Sequence, residues 1–388
     1  MTHITNYPIH FSAIASTVGM PNNSFTYEWS FGDGGTASTQ NLDHNYTSPS
    51  TYFVSVTATD TTTFATATAN RFITVISAPT PTNNNWRGIS GSRDGSIIYA
   101  GRDTGNIYKS ASYGVGLVAV KSDTLPWLNM ASNSNGSIVI GSAYSSASSP
   151  GGLYISSDSG VTWSAVDPTS IYFQCAASIS GQYLYSVTRS GTFGAMGLHR
   201  STDYGVTWTQ VSSISSSTAE YPGVCCSSDG HIVYCGGSTS ASNVFKSTDY
   251  GATFTPLPSA PQNYCLGMAC SDDGSVIYML ESIGDTHVWV SLDGGSTWAF
   301  NSSPQSTTWH GISCSANGSL VVVGGTGGAS NAAYISKDYG STYSNLNFPT
   351  GGQYWSCWVS RDSGWIYVAN DGGYIYSSND YGVTWYSL

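Results

Sequence analysis

The chain has 388 residues, of which only 9% are charged, and glycine contributes 44 residues and tyrosine 27. Eleven lysine and arginine residues stand against 22 aspartate and glutamate residues, which gives a formal net charge of −11. This shortage of cations argues against a nucleic-acid partner, because phosphate neutralisation needs lysine and arginine. No basic cluster and no apolar run of membrane-spanning length occur, so we expect no membrane insertion. The first residues predict no secretory signal peptide.

Residues 1–78 differ in pattern from the rest of the chain. The Tyr52–Asp60 run alternates apolar and polar side chains, which predicts a strand with one buried face. Together with the Trp29–Gly34 and His44–Tyr46 segments, this strand resembles a PKD domain. The resemblance implies an immunoglobulin-like sandwich that is a spacer or a module contacting proteins or glycans. We expect Asp33 to stabilise a turn, with Ca²⁺ binding as the alternative.

A linker rich in proline and asparagine is predicted at residues 79–85. From residue 86 to 388 a unit of about 45 residues recurs seven times, with four short strands in each copy. That period and strand count are typical of β-propeller blades. We therefore predict an all-β protein: an immunoglobulin-like sandwich followed by a seven-bladed propeller of four-stranded blades. Each copy begins with an aromatic residue: Trp86, Trp127, Tyr172, Tyr221, Tyr264, Trp309 and Tyr354.

Within each copy lies a second motif, seen most clearly from Ser201 to Trp208 as Ser-Thr-Asp-Tyr-Gly-Val-Thr-Trp. Aspartate at the start of a tight turn accepts hydrogen bonds from the backbone ahead of it, and glycine supplies a positive φ. Because the aspartate recurs around the fold, we interpret it as structural. The motif resembles the Asp-box, or BNR repeat, of sialidases, xyloglucan-cleaving glycosidases, sortilin-type receptors and photosystem assembly factors. The structural aspartates are Asp158, Asp203, Asp249, Asp293, Asp338 and Asp380.

The eight cysteines do not indicate a metal or redox site. Cys226, Cys270 and Cys314 occupy the same register of successive repeats, as expected for small buried side chains. No pair has the C-x-x-C spacing of a zinc or redox site, so we predict no metal. One disulfide remains open. We expect no cofactor, with Ca²⁺ at the turns as the alternative.

Any ligand site is expected on the face that carries the longer connections between blades, since variable loops on a rigid scaffold usually hold binding sites. The seven aromatic residues that begin the repeats would ring the channel mouth there and suit a glycan or a protein. The alternative is that they pack between blades. Arg189 is a further candidate ligand-binding residue, and Arg87, His287 and His310 map to the same face.

A catalytic alternative rests on the few acidic residues outside the repeated motifs. A glycosidase needs two carboxylates flanking the scissile bond. Glu220 and Glu281, with Asp285 nearby, are the candidates for such a pair. We favour the other interpretation, in which Glu220 and Glu281 are solvated loop residues.

The resemblances differ from this sequence in ways that bear on function. The Arg-Ile-Pro motif of sialidases is missing, and the second propeller of the xyloglucan-cleaving family is absent from the repeat pattern. We therefore expect a non-catalytic recognition or structural protein that binds a surface glycan or protein and joins a larger assembly. An extracellular, cell-surface or virion location is expected. A glycoside hydrolase and a pure scaffold are the alternatives.

Overall fold

The computed structural model describes residues 2–5, 8–16, 24–76, 84–144, 151–168, 170–190, 197–214, 222–237, 244–281, 287–301, 308–327, 332–348, 352–361 and 364–388. The chain divides into two compact units, Met1–Thr80 and Pro81–Leu388. Apart from one short 3₁₀ helix, η1 (Ser212–Ile214), the regular elements in these ranges are β-strands. None of the helical structure within them is long and apolar enough to cross a membrane. The predicted all-β class is confirmed.

The N-terminal unit contains a five-stranded sheet in the order β1-β7-β6-β3-β4 and a two-stranded sheet of β2 and β5. β1 pairs with β7 in parallel, and the other neighbours are antiparallel. Trp29, Phe31 and Tyr46 are buried together between the sheets. The strands are β1 (Thr2–Ile4), β2 (Pro8–Ser12), β3 (Phe25–Ser30), β4 (Thr36–Ala37), β5 (Asn41–Asn45), β6 (Ser50–Asp60) and β7 (Thr66–Ile76).

Asp33 stabilises the turn after β3 from both of its carboxylate oxygens. Oδ1 accepts a hydrogen bond from the Gly35 backbone at 2.9 Å, and Oδ2 lies 2.8 Å from His44 Nε2. The His44 ring in turn stacks on Phe31 with centroids 4.0 Å apart. The turn is thereby tied to the aromatic core, in the role expected for Asp33.

The C-terminal unit consists of seven antiparallel four-stranded sheets, each formed by consecutive strands. We call the sheets blades 1–7 and their strands A to D in chain order. Blade 1 contains β8 (Trp86–Gly91), β9 (Ile98–Arg102), β10 (Ile107–Ser110) and β11 (Val118–Lys121); blade 2 contains β12 (Trp127–Ser132), β13 (Val139–Ala143), β14 (Gly152–Ser156) and β15 (Ser164–Asp167); blade 3 contains β16 (Ile171–Ala177), β17 (Leu184–Ser190), β18 (Gly197–Ser201) and β19 (Thr209–Gln210).

The remaining blades follow the same plan. Blade 4 contains β20 (Gly223–Cys226), β21 (Val233–Gly236), β22 (Val244–Ser247) and β23 (Thr255–Pro256); blade 5 contains β24 (Cys265–Cys270), β25 (Ile277–Glu281), β26 (Val288–Ser291) and β27 (Ala299–Asn301); blade 6 contains β28 (Thr308–Cys314), β29 (Val321–Thr326), β30 (Ala333–Ser336) and β31 (Ser344–Asn345); blade 7 contains β32 (Gln353–Val359), β33 (Ile366–Asp371), β34 (Ile375–Ser378) and β35 (Tyr386–Ser387). Strand A of every blade lines a central channel.

Blade 7 packs directly against blade 1 and closes the ring, with β8 against β32 and β33. Asn84, placed by sequence in the linker, also pairs with Gly373 of blade 7. At the A–B turns, a backbone N–H of one blade donates to a backbone carbonyl of the next blade at 2.7–3.0 Å. Such bonds join six of the seven pairs of neighbouring blades in the described residues. The positions are Arg93, Ser134, Ile179, Ser228, Asp272, Ala316 and Arg361.

Each Asp-containing C–D turn is held by its own side chains. In blade 4, Asp249 Oδ1 accepts from Ser247 Oγ at 2.7 Å and from the Thr253 N–H at 2.9 Å, while Oδ2 accepts from Thr253 Oγ1 at 2.6 Å. Tyr250 has φ 58° and Gly251 φ 74°, the left-handed pair of a type I′ turn. The Tyr250 N–H donates to His231 in the A–B turn of the same blade, so both turns lie on one face.

All eight cysteines are free and buried. Their pattern is that of core residues, since Cys225, Cys226 and Cys235 pack in apolar clusters with neighbouring strands. Within the described parts of the chain, no group of three or more His, Cys, Asp or Glu side chains is arranged to hold a metal ion.

Candidate ligand-binding site at the channel mouth

The central channel contains two adjoining cavities, and Asn129, Gln174, Ile312 and Cys357 line both of them. The inner cavity has a volume of about 170 Å³ and extends to the A–B turns. The outer one, which we call the mouth cavity, has a volume of about 310 Å³ and lies where strand A of each blade begins. The mouth cavity is therefore on the face of the longer connections, where the sequence predicts a ligand site.

A β-bulge near the start of strand A determines which side chains reach the mouth cavity. Trp309 pairs with Gly325 and Gly311 with Gly324, so His310 is an extra residue without a partner position. The same register shift occurs in blades 1, 2, 5 and 7, and in blade 3 a shift between Tyr172 and Cys175 likewise adds one residue to strand A. The bulge turns the extra side chain toward the channel, and the set is Arg87, Leu128, Phe173, Leu266, His310 and Trp355.

The bulge also corrects the prediction that the aromatic residues beginning each repeat ring the mouth. Five of them are at most 1% exposed and pack between blades, so a ligand cannot reach their rings: Trp86, Trp127, Tyr172, Trp309 and Tyr354. In blade 5 the buried position belongs to Cys265, and Tyr264, one residue earlier, is half-buried in the mouth cavity. Tyr221 lies outside the described residues.

One wall of the mouth cavity is a stack of three planar side chains from consecutive blades. Trp355 of blade 7 stacks on His310 of blade 6 with centroids 4.0 Å apart. The Arg87 guanidinium of blade 1 lies 4.1 Å from a Trp355 ring centroid. Since blade 7 lies between blades 6 and 1, these partners cover the two faces of Trp355 and leave its edge toward the cavity.

The positive charge of this wall is neutralised by two carboxylates. Arg87 pairs with Asp103 at 2.7 Å and with Asp371 at 2.9 Å. Burial raises the pKa of Asp103, although Arg87 counteracts the shift. Burial and the Arg87 charge lower the pKa of His310 to about 4, so this imidazole is neutral near pH 7. The wall consequently presents an uncharged ring and a neutralised cation rather than a free positive charge.

The floor of the mouth cavity is made by two amide side chains. Gln174 Oε1 accepts from the backbone N–H groups of Val224 at 3.1 Å and Met268 at 3.0 Å, and its Nε2 donates to the Met268 carbonyl at 2.7 Å. This side chain therefore ties blade 3 to blades 4 and 5 across the channel. Asn129 Oδ1 accepts from the Cys175 N–H at 2.9 Å and ties blade 2 to blade 3.

An ion group lies at the opposite end of the channel. Asp272 of blade 5 lies 2.7 Å from Arg93 of blade 1 and 3.5 Å from Arg361 of blade 7. Arg361 also donates to the Cys270 and Ser315 carbonyls. These contacts bridge blades across the axis at the turn face of the channel.

The predicted catalytic pair is not assembled among the described residues. Glu281 is neither a loop residue nor solvated: it ends β25 and is 2% exposed. Its Oε2 accepts from Trp289 Nε1 at 2.7 Å and faces His287 Nδ1 at 3.0 Å, and Asn263 donates to Oε1. Both carboxylate oxygens of Glu281 are thus engaged by neighbouring side chains. Glu220 and Asp285 lie outside the described residues, as does the side chain of Arg189 in β17.

Sequence comparison identifies the N-terminal unit. Residues 4–75 match the family model described as PKD domain. No curated protein sequence matches the chain. The class of protein is therefore a PKD domain followed by a β-propeller.

Solved structures similar to this chain are β-propellers. A GH74 enzyme from Niastella koreensis is 17% identical with a TM-score of 0.61, covering 79% of this chain and 54% of the enzyme, so this chain spans about half of its length. The Cps50 (Swd1) propeller domain of Myceliophteria thermophila is 9% identical with a TM-score of 0.58, covering 77% and 98%. YCF48 bound to D1 peptide is 14% identical with a TM-score of 0.54, covering 76% and 93%. At these identities the similarity shows the fold alone.

Proposed function

We propose that this protein is a non-catalytic recognition protein that binds a glycan in the mouth cavity of its propeller. The PKD domain would be the spacer or anchor, on a cell surface, an appendage or a virus particle. The observation that carries the proposal is the cavity itself: a concave site of about 310 Å³ with apolar and aromatic walls and a few polar groups. This combination is typical of small-ligand sites, and aromatic side chains suit the apolar faces of sugar rings.

The lining of the mouth cavity supports binding rather than hydrolysis. No aspartate or glutamate lines its described part. The acids nearest to it in the stacked wall, Asp103 and Asp371, are engaged by Arg87. Glu281, the described member of the candidate catalytic set, is buried and held by three donors. A glycosidase needs one carboxyl group to protonate the leaving group and a second one to attack or to activate water.

We further propose that the C–D turns are Asp-boxes in a scaffold role. The supporting pattern is the same in blades 2 to 7: a serine Oγ donates to Oδ1, and a threonine donates to the same aspartate through its backbone and its hydroxyl. These bonds occupy both carboxylate oxygens, and the turns lie on the face opposite the mouth cavity. The motif therefore holds the blades and leaves ligand recognition to the other face.

Tyr144 offers a direct test, because its ring lines the mouth cavity and is 37% exposed. Tyr144→Ala should weaken glycan binding at least fivefold while the melting temperature stays within a degree or two of wild type. Tyr204→Ala is the matched control, since Tyr204 is 48% exposed on the opposite face and should bind like wild type.

The measurement is a glycan array on the 388-residue protein, followed by calorimetric titration of each hit and detection of released reducing ends. Binding without release, weakened in Tyr144→Ala but not in Tyr204→Ala, is the expected result. Release of reducing ends would overturn the non-catalytic proposal. Absence of any glycan hit would overturn glycan recognition and direct the search to a protein partner.

A further inference from the structure

On the floor of the mouth cavity, both amide oxygens already accept backbone N–H groups, whereas amide N–H hydrogens remain unused among the described residues. The Oε1 atom of Gln174 accepts two backbone N–H groups, and the Oδ1 atom of Asn129 accepts one. Each amide nitrogen carries two hydrogens. Gln174 Nε2 uses one of them on the Met268 carbonyl, and Asn129 Nδ2 has no hydrogen-bond partner among the described residues. The backbone contacts distinguish the oxygen from the nitrogen of each side-chain amide, because a backbone N–H can bond only to the amide oxygen.

Apolar side chains from three blades line the same cavity as these donors. Leu128 and Leu266 come from the bulges of blades 2 and 5, and Phe173 comes from the bulge of blade 3, next to Gln174. The described lining contains no carboxylate, the side chain that usually accepts hydrogen bonds from sugar hydroxyls. The hydroxyl donors of an unsubstituted sugar would therefore have only uncharged hydroxyl, imidazole and amide acceptors in the lining, and hydrogen bonds to neutral acceptors are weaker than those to a carboxylate.

A group that combines an accepting carbonyl with a methyl matches both features. We propose that the mouth cavity binds the acetyl group of an acetylated glycan, with the carbonyl oxygen accepting from Asn129 Nδ2 and Gln174 Nε2. The methyl group packs against Leu128, Leu266 and Phe173. This inference rests on the proposed glycan-binding function and specifies its ligand. The acetyl group is carried by an N-acetylated or an O-acetylated sugar, which share this chemistry.

Asn129→Asp separates the ligand role of Asn129 from its structural one. Aspartate keeps an oxygen for the Cys175 N–H and replaces the free donor with an acceptor that repels a carbonyl. The control is Asn317→Asp in the A–B turn of blade 6, where aspartate stands at the equivalent positions Asp229 and Asp273. Both variants add one negative charge, but only Asn129 lies in the mouth cavity.

The probes are matched pairs that differ in the acetyl group. Chitotetraose and cellotetraose share a β-1,4 backbone and test an N-acetyl group. Acetylated xylo-oligosaccharides and their saponified products test an O-acetyl group. Wild type and Asn317→Asp should bind the acetylated member of one pair at least tenfold more tightly, and Asn129→Asp should remove that preference, as expected for one lost hydrogen bond.

Saturation-transfer NMR on the wild-type protein decides the matter if Asn129→Asp does not fold. The acetyl methyl protons should receive the strongest transfer from the protein. Glycan binding without preference for the acetylated member, or with weak transfer to the methyl group, would overturn the acetyl inference and leave the proposed function standing. Failure of every glycan, including the array hits, would overturn both.

Discussion

The Asp-containing turns predict a pH-dependent contribution to stability that can be measured at Asp249. Hydrogen bonds from the Thr253 hydroxyl and N–H, and from Ser247, lower the pKa of Asp249 from 3.8 to about 2. At full strength a shift of that size corresponds to about 2.5 kcal/mol. The carboxylate is partly exposed, so solvent screening reduces the expected contribution to about 1 kcal/mol. Asp249→Asn should lower the free energy of unfolding at pH 7 by that amount, because an amide nitrogen cannot accept from Thr253 Oγ1.

The sign of the pH dependence follows from the lowered pKa. The contribution of a carboxylate with a depressed folded-state pKa is present above the unfolded value, near pH 4, and is lost as pH falls toward 2. Urea unfolding of wild type and Asp249→Asn from pH 7 to pH 2.5 should show a constant difference above pH 5 that narrows below pH 4. A difference that stays constant to the lowest pH would refute the assignment of the effect to the ionised carboxylate.

A neighbouring aspartate in an A–B turn supplies the control. Asp229 uses one oxygen, Oδ1, which accepts from Ser227 Oγ at 2.6 Å and the His231 N–H at 2.9 Å. An asparagine can make the same contacts, and Asn317 does so in blade 6, accepting from its own turn through Oδ1. Asp229→Asn should therefore change the free energy of unfolding by less than about 0.5 kcal/mol.

Two further substitutions test the turns and the channel ion group. Tyr204 has φ 63° in its type I′ turn, where asparagine is preferred, so Tyr204→Asn should raise the free energy of unfolding by about 1 kcal/mol; a lower melting temperature would show that ring contacts outweigh the strain. Asp272→Asn leaves Arg93 and Arg361 facing each other, so stability should fall by about 1–2 kcal/mol and recover partly in 0.5 M salt; a loss that salt does not reduce would contradict the electrostatic explanation.

The parts of the fold that the sequence predicts well are those whose interactions are local. The hydrogen bonds that Asp249 accepts join residues within seven positions, from Ser247 to Thr253. The motif therefore carries its own geometry, and its recurrence marks the blades. The Trp29–Gly34 segment likewise contains both the core aromatic residues and the turn of the N-terminal unit. Such patterns do not depend on which distant strand a residue meets.

The residues of the mouth cavity were less predictable, because the bulge in strand A shifts by one position which side chains face the channel. Periodicity of two along strand A places Trp309 and Gly311 on one side, but the bulge at His310 breaks that alternation. The sequence predicts ligand binding by the aromatic residue and places His310 only on the same face, whereas the structure buries Trp309 and turns His310 toward the cavity. Blade 5 differs, because Cys265 fills the buried position there. The aromatic residue Tyr264 is consequently one position earlier and lines the cavity.

A signal for the floor of the site is nevertheless present in the repeats. Two residues after the buried position, most blades have glycine or serine, and the reason is steric: a Cβ at Gly311 would lie 2.7 Å from the Ser356 Cα of the next blade. Asn129 and Gln174 occupy this position in blades 2 and 3. Large polar side chains fit there only by reaching across the channel. Asn129 and Gln174 therefore break the small-residue pattern of this position and place their amide groups in the channel. Amide side chains at a position that otherwise holds glycine or serine therefore indicate the site better than Glu281 does. The carboxylate of Glu281 is engaged by Trp289, His287 and Asn263 and does not reach the mouth cavity.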